Sequence, residues 1–477
     1  MPDTATNLLA NTVTPEADTR SELLAMADRL IALALRRGAA EAEAYASNQR
    51  TRAAHAVRDE IQWFRDADVN GVGLRVVRHG RIGYAYCSMS QGRPMLTAEV
   101  LVDEALDLAA VTRPQGRQGP LLPDRGRPAV DVPGLHYDRA TRWDVAETAE
   151  AMAELAAAAL AVPGVIDVPR NHYGTEQAHT AVVNSHGLRS SFGSTIRYQW
   201  AETIAVSAGG TVTGNDAGWT RGDADLDPRA IGTRAGEYAR RHAGATPVPS
   251  GDYAVVLTPQ AAVNLVSRLG MLLTADAFEQ GRTLFELGAG VAAPAFSLVD
   301  DATIPGGLGS QPVDAEGVPT RRTTLIDRGT VTGVLHDSAT AATFGHDAAP
   351  GNAKRSSYRA MPHPGPSNLF INPGTVSPSS LVAGVSHGIL VDELIGLHAT
   401  NPVTGRFGAA ARGRLIRGGR IDRPVADIAI AGRYSDLLTG ICGIADDLTF
   451  LPGHSGLGSP SVLIDRLSVS GSSGGVR

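Results

Sequence analysis

Cysteine is almost missing: Cys87 and Cys442 are the two in a chain of 477 residues. Two thiols make no secreted disulfide framework, and a chain of this length needs none. Both read as small buried apolar residues, and neither has an obvious His, Lys or Arg neighbour in sequence to lower its pKa. Long apolar runs are missing too. No stretch approaches the roughly 20 residues that cross a bilayer, and the Ala-rich run at 151–162 is short and follows an amphipathic start. The first twenty residues show neither a basic flank nor an apolar core, so no secretory signal is expected. Nor is there an excess of positive charge. With 43 basic and 49 acidic residues the formal net charge is −6, which argues against a general nucleic-acid binder. These absences leave a soluble cytoplasmic protein, and the length suggests two domains or more.

The motifs that would announce chemistry are also absent. A catalytic zinc needs three protein ligands and an open position, and the usual helical solution sets two His four apart with a Glu beside the first. None of the 13 His residues has that spacing. His172, His179 and His186 recur every seven residues in a stretch that reads as extended. There an odd spacing sends consecutive members to opposite faces, so they are expected to be satisfied surface groups. His336, His346, His363, His387, His398 and His454 lie in the second half, and nothing in the sequence brings them together. Gly71-Val72-Gly73 lacks a third glycine and opens no helix, so nucleotide binding is not expected. Gly453-His454-Ser455-Gly456 reads as a turn and residues 471–475 as a tail. The acidic pairs Asp300-Asp301, Asp392-Glu393 and Asp446-Asp447 read as solvated turn residues. No catalytic, cofactor-binding or metal-ligating residue is therefore assigned.

What is present is a pattern of helices followed by strands. Thr19 and Glu22 form a capping box before an apolar series through Leu23, Ala27, Leu30 and Ala34, ended by Gly38. Residues 71–77 and 82–86 flank Arg78-His79-Gly80-Arg81 as a hairpin. Helical spacing returns at 97–110, at 143–162 and at 228–242, with a Pro/Gly/Arg-rich loop at 112–136 and strands at 180–188 and 195–208. Pro247-Val248-Pro249-Ser250-Gly251 reads as a domain boundary. Beyond it one helix, 259–274, stands among short apolar runs broken by Gly, Pro, Asp and Asn. The expected fold is α+β. An N-terminal α/β-type domain with an antiparallel sheet and long helices spans 21–246. A C-terminal, mostly antiparallel, barrel-like domain spans 247–470. Residues 1–20 and 471–477 are expected to be flexible.

The second half resembles a known family. Residues 249–259 (PSGDYAVVLTP) resemble the first strand of the TldD/PmbA C-terminal domain. Residues 314–323 (DAEGVPTRRT) resemble its acidic turn before a hairpin, and residues 325–331 the hairpin itself. The stretch from Asn352 to Tyr358, the Pro…Asn piece at 362–368, Phe370-Ile371-Asn372-Pro373-Gly374, residues 403–407 and residues 418–425 follow in order. In the first half, residues 71–77 and Asn184-Ser185-His186-Gly187 also fit. The resemblance covers nearly the whole chain.

The resemblance carries functional implications. TldD-type chains bear His-Glu-x-x-x-His on the helix after that first strand, and a Cys ligand near the C-terminus. Here the helix reads Pro259-Gln260-Ala261-Ala262-Val263-Asn264-Leu265-Val266-Ser267-Arg268-Leu269, and residues 451–460 hold no Cys. Cys442 lies upstream and is not equated with the ligand. This is similar to the TldE/PmbA branch, as are Asp392-Glu393-Leu394-Ile395-Gly396 and Val403-Thr404-Gly405. The branch implies a non-metal-binding subunit of a heterodimeric metallopeptidase. Its partner would be a TldD-like paralogue carrying the zinc, and its substrate an unfolded or extended peptide. No cofactor is expected in this chain, and neither nucleic acid nor membrane as partner. Two other readings stand beside it: a stand-alone tailoring enzyme using the spare His and Cys residues, and a non-enzymatic homodimeric binding protein.

Overall fold

The computed structural model describes residues 16–90, 93–114, 121–124, 128–207, 210–222, 226–346, 348–397, 400–451 and 456–471. The N-terminal half is a seven-stranded antiparallel sheet in the order β4-β3-β2-β1-β5-β6-β7. Its strands are β1 (Glu41–Val57), β2 (Glu60–Arg78), β3 (Arg81–Ser90), β4 (Arg93–Pro94), β5 (Val165–Asn184), β6 (Arg189–Ser207) and β7 (Gly210–Thr220). Helices α1 (Glu16–Arg36), α2 (Ala98–Val111), α3 (Asp138–Thr141), α4 (Val145–Leu160) and α5 (Pro228–His242) accompany it. Side chains alternate between the faces of a strand. The even-numbered set Ala42, Ala44, Ala46, Val72, Leu74 and Val76 packs under α1 and α2.

The hairpin at 78–81 and the helices at 98–111, 145–160 and 228–242 agree with the sequence reading. Each of these helices starts at a residue whose side chain accepts a backbone N–H, Thr97, Asp144 and Asp227, and such caps are local signals. Other expectations need correction. Helix α1 begins at Glu16, directly after Pro15, so Thr19 and Glu22 lie inside it and residues 16–20 are helical. The expected strands at 180–188 and 195–208 are the ends of strands of 20 and 19 residues. Strand β7 went unread. On the face turned away from the helices, polar and aromatic residues such as His55, Trp63, His172 and Trp200 break the alternation on which strand reading depends.

The C-terminal half contains a barrel. Strands β8 (Gly251–Leu257), β15 (His387–Ile395), β16 (Arg406–Arg417), β17 (Arg420–Arg433) and β21 (Val462–Ser470) run in the order β17-β16-β15-β8-β21, and β17 pairs β21 to close the five. Strand β18 (Ile441–Ile444) adds to β21. A second sheet has the order β11-β10-β9-β14-β20-β19, from β9 (Leu298–Asp301), β10 (Arg322–Asp327), β11 (Thr330–Val331), β14 (Leu369–Ile371), β19 (Thr449–Phe450) and β20 (Leu457–Ser459). The short pair β12 (Ala353–Lys354) and β13 (His363–Pro364) stands beside them. Helix α6 (Pro259–Leu272) buries Ala262, Leu265, Val266 and Leu269 in the core shared by both sheets. Among the described residues no helix is long and apolar enough to cross a membrane.

The halves meet across a buried charge network on the odd-numbered face of the N-terminal sheet. Arg75 Nη2 donates to Glu43 Oε2 at 2.6 Å and to Glu316 Oε1 at 2.8 Å, and none of the three is more than 3% exposed. Arg355 closes the network on Glu43 and stacks 5.0 Å over the Tyr45 ring. Tyr358 lies flat against the sheet, and Gly71 makes room for it. A Cβ at Gly71 would stand 2.3 Å from the Tyr358 ring. Gly71→Ala therefore costs about 1–3 kcal/mol by overpacking. Combined with Tyr358→Ala the two losses are less than additive, because the clash is removed once. A double-mutant cycle in urea measures this, and strict additivity contradicts it.

A second tie joins α5 to the barrel. Arg414 grips Asp392 at 2.7 and 2.9 Å, and His242 Nε2 stands 3.1 Å from the same carboxylate. Asp392 is thus a buried interdomain anchor in a strand, not a solvated turn residue. Asp300 and Asp301 are likewise buried in β9. A strand residue facing a domain seam is indistinguishable in sequence from one facing water.

Candidate functional site

Beyond the seam, the same sheet face opens into a groove. Strand register aligns its walls. Trp63, His55, His172 and Trp200 form one row across four strands. Ala53, Gly174, Tyr198 and Trp219 form the next, and Thr51, Glu176 and Ile196 the third. His172 stacks on Trp200 with ring centroids 5.5 Å apart and on Tyr198 at 6.0 Å. Burial, then the neighbouring His55, holds the His172 imidazole below its ordinary pKa.

A cavity of about 480 Å³ lies against Tyr198, Trp200, Trp219, Glu176, Arg221 and, from the C-terminal half, Leu308. Arg221 and Leu308 also bound a second cavity of about 230 Å³, whose far wall is Ser310, Lys354, Pro366 and Ser367. Pro366 bounds a third, of about 320 Å³, beside Arg268 and Met271 of α6. The series runs from the aromatic rows of the sheet to the outer side of α6. Its size and mixed lining suit an extended chain with side chains alternating between apolar and polar contacts.

The electrostatics are unusual in this series. Arg221 is 8% exposed and donates from Nη1 and Nη2 to the carbonyls of Thr195 and Leu308 at 3.0 and 2.7 Å. It has no carboxylate at ion-pair distance among the described residues, and burial lowers its pKa to about 10. Glu176 opposes it across the groove. Burial raises that carboxyl against the pull of Arg221. Burial also lowers the Lys354 ammonium, with Asp300 and Asp314 acting the other way.

Among the described residues the histidines meet in pairs at most. His172 faces the groove, His179 is buried on the opposite face beside Gln177, and His186 pairs Glu41 at 3.1 Å. Opposite faces were expected for His172 and His179. The burial of His179 was not, and it follows from the helices that cover its face of the sheet. His336 and His346 have ring centroids 4.7 Å apart, and burial, with His346 and Arg321, pushes His336 down to about 4. His363 contacts the Pro364 carbonyl and His387 the Tyr253 ring. His398, His454 and residues 472–475 lie outside the described residues. Among the described residues no three His, Cys, Asp or Glu side chains gather as a metal cluster. Cys87 is buried, as expected, but Cys442 is exposed.

Comparison with known proteins places the whole chain. Residues 42–109, 138–243 and 250–471 match the models of domain 1, the central domain and the C-terminal domain of the PmbA/TldA metallopeptidases. The chain belongs to the PmbA/TldD family. A metalloprotease of Methanothermobacter thermautotrophicus is 28% identical over 84% of this chain and 87% of its own length. The metalloprotease PmbA homolog of Haemophilus influenzae is 25% identical over 78% and 79%. The crystal structure of a proposed modulator of a DNA gyrase from Thermotoga maritima superposes with a TM-score of 0.83 at 27% identity, covering 93% of this chain and 99% of that one. TldE from Thermococcus kodakarensis shares the fold, with a TM-score of 0.84 at 22% identity and the same coverage. The expected α+β fold with a C-terminal barrel is the PmbA/TldD architecture.

Of the groove residues the sequence reading singles out His172, and as a satisfied surface group. Glu176, Trp219, Leu308 and Lys354 are far apart in the chain, and only sheet register and domain docking assemble them. Three of the four tryptophans, Trp63, Trp200 and Trp219, stand in its rows, and clustering of so rare a residue in strands of one sheet was the available signal.

Proposed function

We propose that this chain is the non-metal-binding, TldE/PmbA-like subunit of a cytoplasmic TldD/TldE-type heterodimeric metallopeptidase that acts on unfolded peptides. The supporting observation is the donor set of α6. One turn apart on its partly exposed side stand Gln260, Asn264 and Arg268. Asn264 Nδ2 donates to the helix's own carbonyls, and Arg268 Nη2 to the Thr400 carbonyl at 2.7 Å. An amide pair and a guanidinium offer neither the imidazoles nor the carboxylate that zinc-dependent hydrolysis requires. The residues present do not fit a catalytic zinc. The groove supports the remainder of the reading. An extended peptide satisfies its main chain along sheet edges with little regard to sequence, while the aromatic rows hold side chains. The metal would come from a TldD-like paralogue.

Reconstitution tests this. The purified chain alone is expected to bind no stoichiometric zinc and to leave casein and unfolded peptides intact. An equimolar complex with a zinc-bearing paralogue from the same host cleaves them, and a chelator stops it. One equivalent of tightly bound zinc on the isolated chain, by metal analysis, ends the proposal.

A further inference from the structure

Lys354 is the sole lysine in a chain with 43 basic residues; the other 42 are arginines. It sits on β12 at the wall of the 230 Å³ cavity, opposite Arg221. Its ammonium has no hydrogen bond or ion pair among the described residues, although Asp300 and Asp314 lie near enough to act on its charge. Those carboxylates are engaged otherwise. Asp314 accepts the backbone N–H groups of Glu316, Val318 and Ala353, and Asp300 accepts that of Ser367. Two cations without ion partners thus border one small cavity, and no carboxylate lines it. The Ser367 hydroxyl on the same wall is buried and acts on the Asp300 carboxyl. Burying an ammonium without a hydrogen bond or ion pair is costly unless a ligand completes it.

The ligand's chemistry follows from the lining. Lys354, Arg221, Ser310 and Ser367 offer donors and positive charge, which suit a small oxyanion. The cavity is too small for a folded partner, and it joins the aromatic one through Arg221 and Leu308. We propose that the cavity between Arg221 and Lys354 binds the free C-terminal carboxylate of a peptide, with a large apolar side chain of that peptide in the slot of Tyr198, Trp200 and Trp219. This rests on the peptide reading above and names its anchoring end. A compact ammonium leaves more of the small cavity to the ligand than a guanidinium does.

The single lysine makes the test direct. In full-length protein carrying lysine labelled with carbon-13 at Cε, Lys354 gives the one lysine side-chain signal. The probes are a short peptide ending in Phe with a free carboxylate, the same peptide amidated, and an amidated peptide carrying an internal Glu. The free-carboxylate peptide is expected to shift the Lys354 signal saturably and to quench tryptophan emission, with the amidated form binding about tenfold more weakly. Lys354→Met, checked for an unchanged thermal melt, abolishes that preference, and Lys354→Arg restores part of it. Equal binding of the free and amidated peptides overturns the proposal, as does a folded Lys354→Met protein that keeps the preference. Matching binding by the Glu peptide overturns the terminal assignment in favour of an acidic side chain. Absence of any saturable shift up to millimolar peptide overturns it outright. If Lys354→Met does not fold, the Lys354 signal in the unmutated protein decides. The reconstitution assay reads proteolysis by the paired complex, so it can succeed while this binding test fails, and the reverse.

Discussion

Arg75→Met lowers the unfolding free energy by about 3–5 kcal/mol at neutral pH, because it leaves a buried carboxylate without its cation. Glu43 keeps Arg355, but Glu316 has no other basic partner among the described residues, only the Ser338 N–H at 2.7 Å. Burial works to raise the Glu316 pKa, and Arg75 and the Ser338 hydrogen bonds outweigh it, so the carboxyl is lowered overall. A carboxyl whose folded pKa is depressed contributes stability above its unfolded value of 4.5 and loses it as pH falls through the folded value. Removing Arg75 reverses the balance, since burial then acts unopposed by its main partner. The deficit of the variant is therefore largest near pH 7–8 and narrows below about pH 4. Urea melts at pH 4 and pH 8 measure this. A deficit under 1 kcal/mol at pH 8, or one equal at both pH values, removes the network from the account of how the halves are held together.

Asp300→Asn has the opposite sign. Asp300 is fully buried, and its Oδ1 accepts the Ser367 N–H at 2.6 Å. Burial raises its pKa from 3.8 to about 6, against the pull of Lys354. A carboxyl with a raised folded pKa is neutral in both states at low pH. As pH climbs past 3.8 the unfolded chain ionises first, so stability falls until about pH 6 and stays lower above it. Roughly two units correspond to about 3 kcal/mol. The amide keeps the Oδ1 acceptor and never ionises, so the variant gains about 1–3 kcal/mol at pH 8 and nothing at pH 4. The lower figure applies if the new NH₂ finds no acceptor. A loss at pH 8, or a gain that persists at pH 4, contradicts this.

The two cases show why the acidic pairs misled a reading by sequence. Asp300-Asp301 and Asp392-Glu393 sit among apolar residues as ordinary strand ends do, but Asp392 is drawn against α5 of the N-terminal half, and Asp300 and Asp301 are buried within the C-terminal one. Arg322 and Arg414 arrive from other strands to meet Asp301 and Asp392. Long-range partners of that kind leave no local trace. The His series erred the same way. The direction of each side chain was legible from strand parity, and what covers each face was not.

The sequence by itself determined the capped helices α2, α4, α5 and α6, the hairpin at 78–81 and membership of the PmbA/TldD family. These depend on caps, turns and short ordered motifs, which act over a few residues. Tertiary structure alone decided the groove. Tyr198, Trp219, Arg221, Leu308 and Lys354 meet only because strand register fixes one face and the Glu43–Arg75–Glu316 network sets the second domain against it. Contacts across such separations are selected by the free energy of the whole fold, and no window of neighbouring residues contains them.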